Sequence, residues 1–92
     1  MFILERNHLE KREAVFVAES KEMELWEFPK KERMGWKNFY MRLKQPKNSA
    51  RVKRTWWFGW NGKMLSRSRD AKLLKAHRPE TYKWVEGVLK NA

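Results

Sequence analysis

Between Arg54 and Lys63 the chain reads RTWWFGWNGK, with three tryptophans and a phenylalanine inside five positions. So much ring surface in so short a run has to be divided between two sides of the backbone. A β-strand does this, because successive side chains point to opposite faces. Asn61-Gly62 follows, the preferred pair for a two-residue type I′ turn in which both central residues take positive φ. The run is therefore read as a strand, Val52 to Trp60, returning antiparallel as Lys63 to Ser68. Pairing Trp60 with Lys63 sets Phe58 against Leu65 and Trp56 against Arg67 on one face. Gly59, Trp57 and Thr55 then meet Met64, Ser66 and Ser68 on the other.

Upstream, Phe39, Met41 and Leu43 alternate with Tyr40, Arg42 and Lys44 in a strand that opens near Trp36, and Pro46 to Ala50 reads as a polar loop. Trp56, Phe58, Trp60 and Leu65 join Phe39, Met41 and Leu43 as the core face. Trp57 is left with Thr55, Ser66, Ser68, Tyr40, Arg42 and Lys44 on the opposite face. Downstream, Ser68 can cap a helix through Ala76, with Asp70 in its first turn where the helix dipole favours an anion. Pro79 opens a second helix, in which Thr81, Trp84, Val85, Val88 and Leu89 form a stripe at helical spacing that needs a sheet to cover. Trp36 and Trp84 are read as core.

The amino-terminal stretch HLEKREAVFVAESKEMELWEFP carries helix-favouring residues, yet Val15 and Val17, then Met23 and Leu25, alternate as in strands. It is read as a β-hairpin turning at Glu19 to Glu22 and ended by Pro29, with Met1 to Arg6 a candidate further strand. The expected fold is α+β: a single small domain with a three-stranded antiparallel meander over residues 36–68, packed on helices at 69–76 and 79–91. The β-rich amino-terminal part is an extension to it.

Twenty-two Lys and Arg against eleven Asp and Glu give a net charge of +11, and the charge is segmental. Residues 1–28 hold seven Glu against four basic residues, residues 29–79 hold sixteen basic residues against Glu32 and Asp70, and residues 80–92 are neutral. A basic block that coincides with the aromatic strands points to an anionic partner for a folded face. Cysteine is absent, so no thiolate metal site or disulfide framework can form. No apolar run approaches a bilayer span and the first residues meet charge too early for a signal peptide, so a cytoplasmic protein without membrane contact is expected.

Three functions compete. The first is a non-enzymatic nucleic-acid-binding protein, without cofactor or metal. It would use Trp57 and Tyr40 for stacking, and Arg42, Lys44, Arg54, Arg67, Arg69 and Lys72 for phosphates, with the exposed aromatics favouring unpaired bases. Ser66-Arg67-Ser68-Arg69-Asp70 leads into a helix amino-terminus, where backbone N–H groups can meet phosphate, although the serines are better read as caps and Arg67 could instead stack on Trp56. A three-stranded sheet reading DNA with a helix behind it is similar in architecture to plant ethylene-response domains and the arm-binding domains of tyrosine recombinases. That analogy covers residues 36–91 and lends no residue a role. The compact basic format fits an accessory or regulatory factor of a bacterium or phage. The second function is a modulator docking on an acidic protein, since the same charges steer either encounter. The third is a metal-free ribonuclease built on Tyr40, Arg42, His77 and Arg78. Neither His8 nor His77 has a partner at metal-ligand spacing.

Overall fold

A computed structural model describes residues 6–33, 35–44 and 55–91 of the chain. Among these residues the order is α1 (Arg6–Lys11), β1 (Val15–Glu19), β2 (Met23–Arg33), β3 (Trp36–Leu43), β4 (Thr55–Trp60), α2 (Arg69–His77) and α3 (Pro79–Lys90). The α+β fold is as expected, but the sheet has four strands in the order β1-β2-β3-β4, every neighbouring pair antiparallel. The amino-terminal hairpin is thus half of the sheet and not an appendage.

The helix-favouring residues that open the hairpin segment do form a helix. Its end explains how the chain reverses into β1: Glu13 adopts φ +62°, and the N–H groups of Glu13 and Ala14 donate to the carbonyls of Glu10 and Leu9, both at 3.0 Å. This is a Schellman closure made without glycine. It lays Leu9, fully buried, over Trp26 and Tyr40. Arg6 belongs to this helix; the rest of the anticipated strand at Met1 to Arg6 lies outside the described residues, as do the loop Pro46 to Ala50 and the first residues of the strand anticipated from Val52.

Pro29 does not end β2. Beyond Glu27, which pairs with Val15, β2 no longer has β1 beside it, so the missing N–H of Pro29 costs no ladder bond on that edge. The strand continues to Arg33 across an irregularity between Phe28 and Arg33.

The turn at Asn61-Gly62 also differs. Of the pair only Gly62 takes positive φ (+91°), and the Asn61 side chain instead accepts from the N–H groups of Lys63 and Met64, each at 2.9 Å. The loop is therefore four residues long, Trp60 faces Leu65 in a single bridge, and Lys63 to Ser68 is not a strand. The displacement from the anticipated register is two residues, one full side-chain period, so Leu65 still reaches the core face.

On that face Met23, Leu25, Phe39, Met41, Trp56, Phe58 and Trp60 pack against Leu65 and against Ala71, Leu74, Val85 and Leu89 of α2 and α3. Both helices start where anticipated. Ser68 caps α2, its Oγ accepting from the Ala71 N–H, and Pro79 occupies the first turn of α3. Trp84 and Val88 are half-buried at the margin of this core. Trp36 is not part of it: its alternation places it on the second face, where it packs against Gly59.

Candidate nucleic-acid interface

The second face is where the charged and aromatic candidates converge. One row of it crosses all four strands, because Phe16 pairs with Trp26, Trp26 with Tyr40, and Tyr40 with Trp57. The middle of the row is covered by Leu9, leaving Trp26 and Tyr40 buried at 2% and 1% exposure. Its β4 end is open. Trp57 is 44% exposed, with the Tyr40 ring 4.5 Å away in an edge-on arrangement and the Phe28 ring 5.3 Å away.

Several described cations on and around the sheet are met by carboxylates of the same chain. Arg42 Nη1 donates to Glu24 Oε1 at 2.7 Å, and the same oxygen accepts from Trp26 Nε1 at 3.3 Å, all three groups buried. Such a pair adds little net stability compared with an apolar contact, but removing one partner would strand a buried charge at a cost of about 3 to 5 kcal/mol. Lys44 Nζ lies 2.7 Å from Glu19 Oε2, and Arg78 Nη1 lies 3.5 Å from Glu22 Oε2. The three acidic residues come from the hairpin, so the negative segment of the sequence folds back to partner part of the positive one.

The segment Ser66 to Asp70 divides by alternation. Ser66 Oγ accepts from the Gly59 N–H at 3.0 Å and donates to Ser68 Oγ at 3.2 Å, Ser68 caps α2, and Asp70 Oδ2 accepts from the Trp57 N–H at 2.8 Å. These bonds satisfy β4 N–H groups along its outer edge, where no further strand among the described residues pairs. The intervening Arg67 and Arg69 are exposed, and so are Lys72 and Lys75. Arg69, Lys72 and Lys75, three residues apart on α2, make a ridge of exposed cations, its far end turned toward α3, where Lys75 Nζ lies 5.7 Å from the Tyr82 ring centroid. The Asp70 bond ties the start of that ridge to the backbone of Trp57.

Of the residues singled out by sequence, Trp57, Arg67, Arg69 and Lys72 are thus exposed around the junction of β4 and α2. Tyr40 and Arg42 are buried and Lys44 is half-buried beside Glu19, while Arg54 lies outside the described residues. The cation over Trp56 is Arg78, 5.7 Å from the ring centroid, and not Arg67, which the longer loop moves away from that position. The four residues considered for ribonuclease chemistry are not gathered: Tyr40 and Arg42 lie on the second face, whereas Arg78 at the end of α2 lies over the first-face residue Trp56. On α3 the Tyr82 hydroxyl is held above its ordinary 10.0 by burial and, less strongly, by the Glu86 carboxylate, so it is protonated at neutral pH.

Phe28 and Trp36 complete the aromatic surface and were not singled out as binding residues. A signal for Trp36 was present in Gly59, since glycine inside a strand marks a close approach. A Cβ there would sit 3.1 Å from Trp36 Cε3. Among the described residues no cluster of His, Asp or Glu could hold a metal ion, and no helix is long and apolar enough to cross a membrane. Compared with known proteins, the chain matches no family model, no curated protein and no solved structure.

Proposed function

We propose that this is a small, non-enzymatic nucleic-acid-binding protein that acts in the cytoplasm as an accessory or regulatory factor. The observation that supports it best is the junction of β4 and α2, where an open indole, Trp57, is tied through Asp70 to a helix whose outward face carries Arg69, Lys72 and Lys75. Flat apolar surface beside exposed cations suits bases beside phosphates. The hairpin carboxylates strengthen the reading by partnering Arg42, Lys44 and Arg78 while the α2 ridge stays exposed, so among the described residues exposed cations stand next to the aromatic surface.

Titration of nuclease-treated protein with short oligonucleotides over a range of salt concentrations is the direct test. Each neutralised phosphate releases condensed counterions. About five contacts should therefore give a slope of log K against log salt near −4 to −5 on duplex and near −3 to −4 on single strands. Arg69→Glu and Lys72→Glu should each weaken binding on all sequences alike and flatten that slope by about one, with little effect on folding at exposed sites. No binding at low salt to either form would refute the proposal and favour an acidic protein as the partner. Cleavage of RNA by the wild type, abolished in His77→Ala, would favour the ribonuclease instead.

A further inference from the structure

Trp57 of β4 and Trp36 of β3 lie on one face of the sheet. Trp57 stands at its own position, and two residues further along β4 the missing side chain of Gly59 is replaced by the ring of Trp36, reaching over from β3. Two residues of strand advance about 7 Å. Side-chain positions two residues apart on a strand face are spaced too widely for rings standing there to stack on each other. They are well placed for one splayed base each, with a sugar-phosphate step between them. Phe28 and Tyr40 hold the Trp57 ring from two sides, so little freedom remains to be lost when a base settles on it.

We infer that the two tryptophans form adjacent subsites for consecutive unpaired bases, and that the ligand of this face is single-stranded nucleic acid and not a duplex. The inference rests on the nucleic-acid reading above and narrows it. A duplex keeps its base faces stacked inside, so it could use the Arg69, Lys72 and Lys75 ridge but would leave both indoles idle. Single strands offer the phosphates and the open base faces together, which matches the charge and the ring surface found side by side here. Gly59 is then explained as well: a larger residue would displace Trp36 and close the second subsite.

The test compares a twelve-nucleotide oligo(dT) and oligo(U) with a duplex of equal length, using the full chain and its Trp57→Ala, Trp36→Ala, Trp57→Phe and Arg69→Glu variants, each first checked for folding by thermal melt. Wild type should bind the single strands more tightly than the duplex. Each Trp→Ala variant should weaken single-strand binding by roughly 5- to 150-fold, the usual range for loss of one stacked base, with an unchanged salt slope and unchanged duplex binding. Trp57→Phe should recover most of the loss, because a ring is restored. Arg69→Glu should weaken both ligands. Equal affinity for duplex and single strand, or Trp→Ala variants that bind oligo(dT) and oligo(U) as wild type does, would overturn the inference while leaving the nucleic-acid reading in place. Failure of wild type to bind any of the three would overturn both.

Discussion

Trp56 and Trp57 are adjacent in the same basic stretch of the sequence, yet one is 2% exposed and the other 44%. Only strand alternation separates them. Trp56→Ala should empty a large volume between sheet and helices and remove the ring beneath the Arg78 guanidinium, at a cost on the order of 3 to 5 kcal/mol, a large part of what so short a domain has. Trp57→Ala loses a half-covered ring and its contacts to Phe28 and Tyr40, about 1 to 2 kcal/mol. Thermal melts of the two variants should therefore show a near-complete loss of the transition for the first and a modest decrease in Tm for the second. Equal loss in both would mean that Trp57 is structural. The burial of Tyr40 and Arg42 was not legible from their own strand, whose alternation is that of a sheet with one wet face. It depends on Leu9 and Glu24, distant in sequence, arriving on that face.

At the scale of elements, β4 is the outermost strand among the described residues, and such a strand is a hazard unless its free backbone groups are occupied. Here the occupants are side chains of the following segment, Asp70 for Trp57 and Ser66 for Gly59. Asp70→Ala should therefore leave a backbone donor without its acceptor and loosen the start of α2, lowering stability by about 1 to 3 kcal/mol. It should also speed hydrogen exchange at the Trp57 amide selectively, which exchange measured by NMR would resolve; an unaltered rate would mean that the carboxylate does not protect that edge. From sequence the serines of this segment read as caps, Asp70 as a first-turn anion favoured by the helix dipole, and the arginines between them as candidates for phosphate. What could not be read was that the caps serve a strand as well as a helix, because that depends on the loop length after Trp60. The loop is longer than a two-residue turn because Asn61 uses its side chain to close it instead of adopting positive φ.

For the molecule as a whole, a net charge of +11 is only partly compensated by the hairpin carboxylates, so folding works against residual self-repulsion. Added salt should screen that repulsion and raise Tm between about 20 and 300 mM, the range over which the Debye length shrinks from about 20 Å to below 10 Å. The same change should lower affinity for nucleic acid steeply. Opposite signs of the two effects, measured by thermal melts and by binding in one buffer series, would separate a charge excess held for a ligand from one consumed by the fold. If Tm falls instead, the intramolecular ion pairs outweigh the repulsion.

The class of fold, the two carboxy-terminal helices with their starts, and the core residues of β3, β4 and Leu65 were determined by local information: period-2 and helical alternation, Ser68 as a cap and Pro79 as a helix opener. Such signals survive a two-residue error in register because the side-chain period is itself two. Tertiary structure alone decided which polar and aromatic residues stayed exposed. The hairpin entered the sheet edge-on, α1 closed over Trp26 and Tyr40, and Glu24, Glu19 and Glu22 came within reach of Arg42, Lys44 and Arg78. Burial and ion pairing are properties of distance in space, and the residues concerned lie 18 to 56 positions apart in the closest and farthest of the hydrogen-bonded pairs, Glu24 with Arg42 and Glu22 with Arg78. No local pattern in the chain could encode which of them would meet.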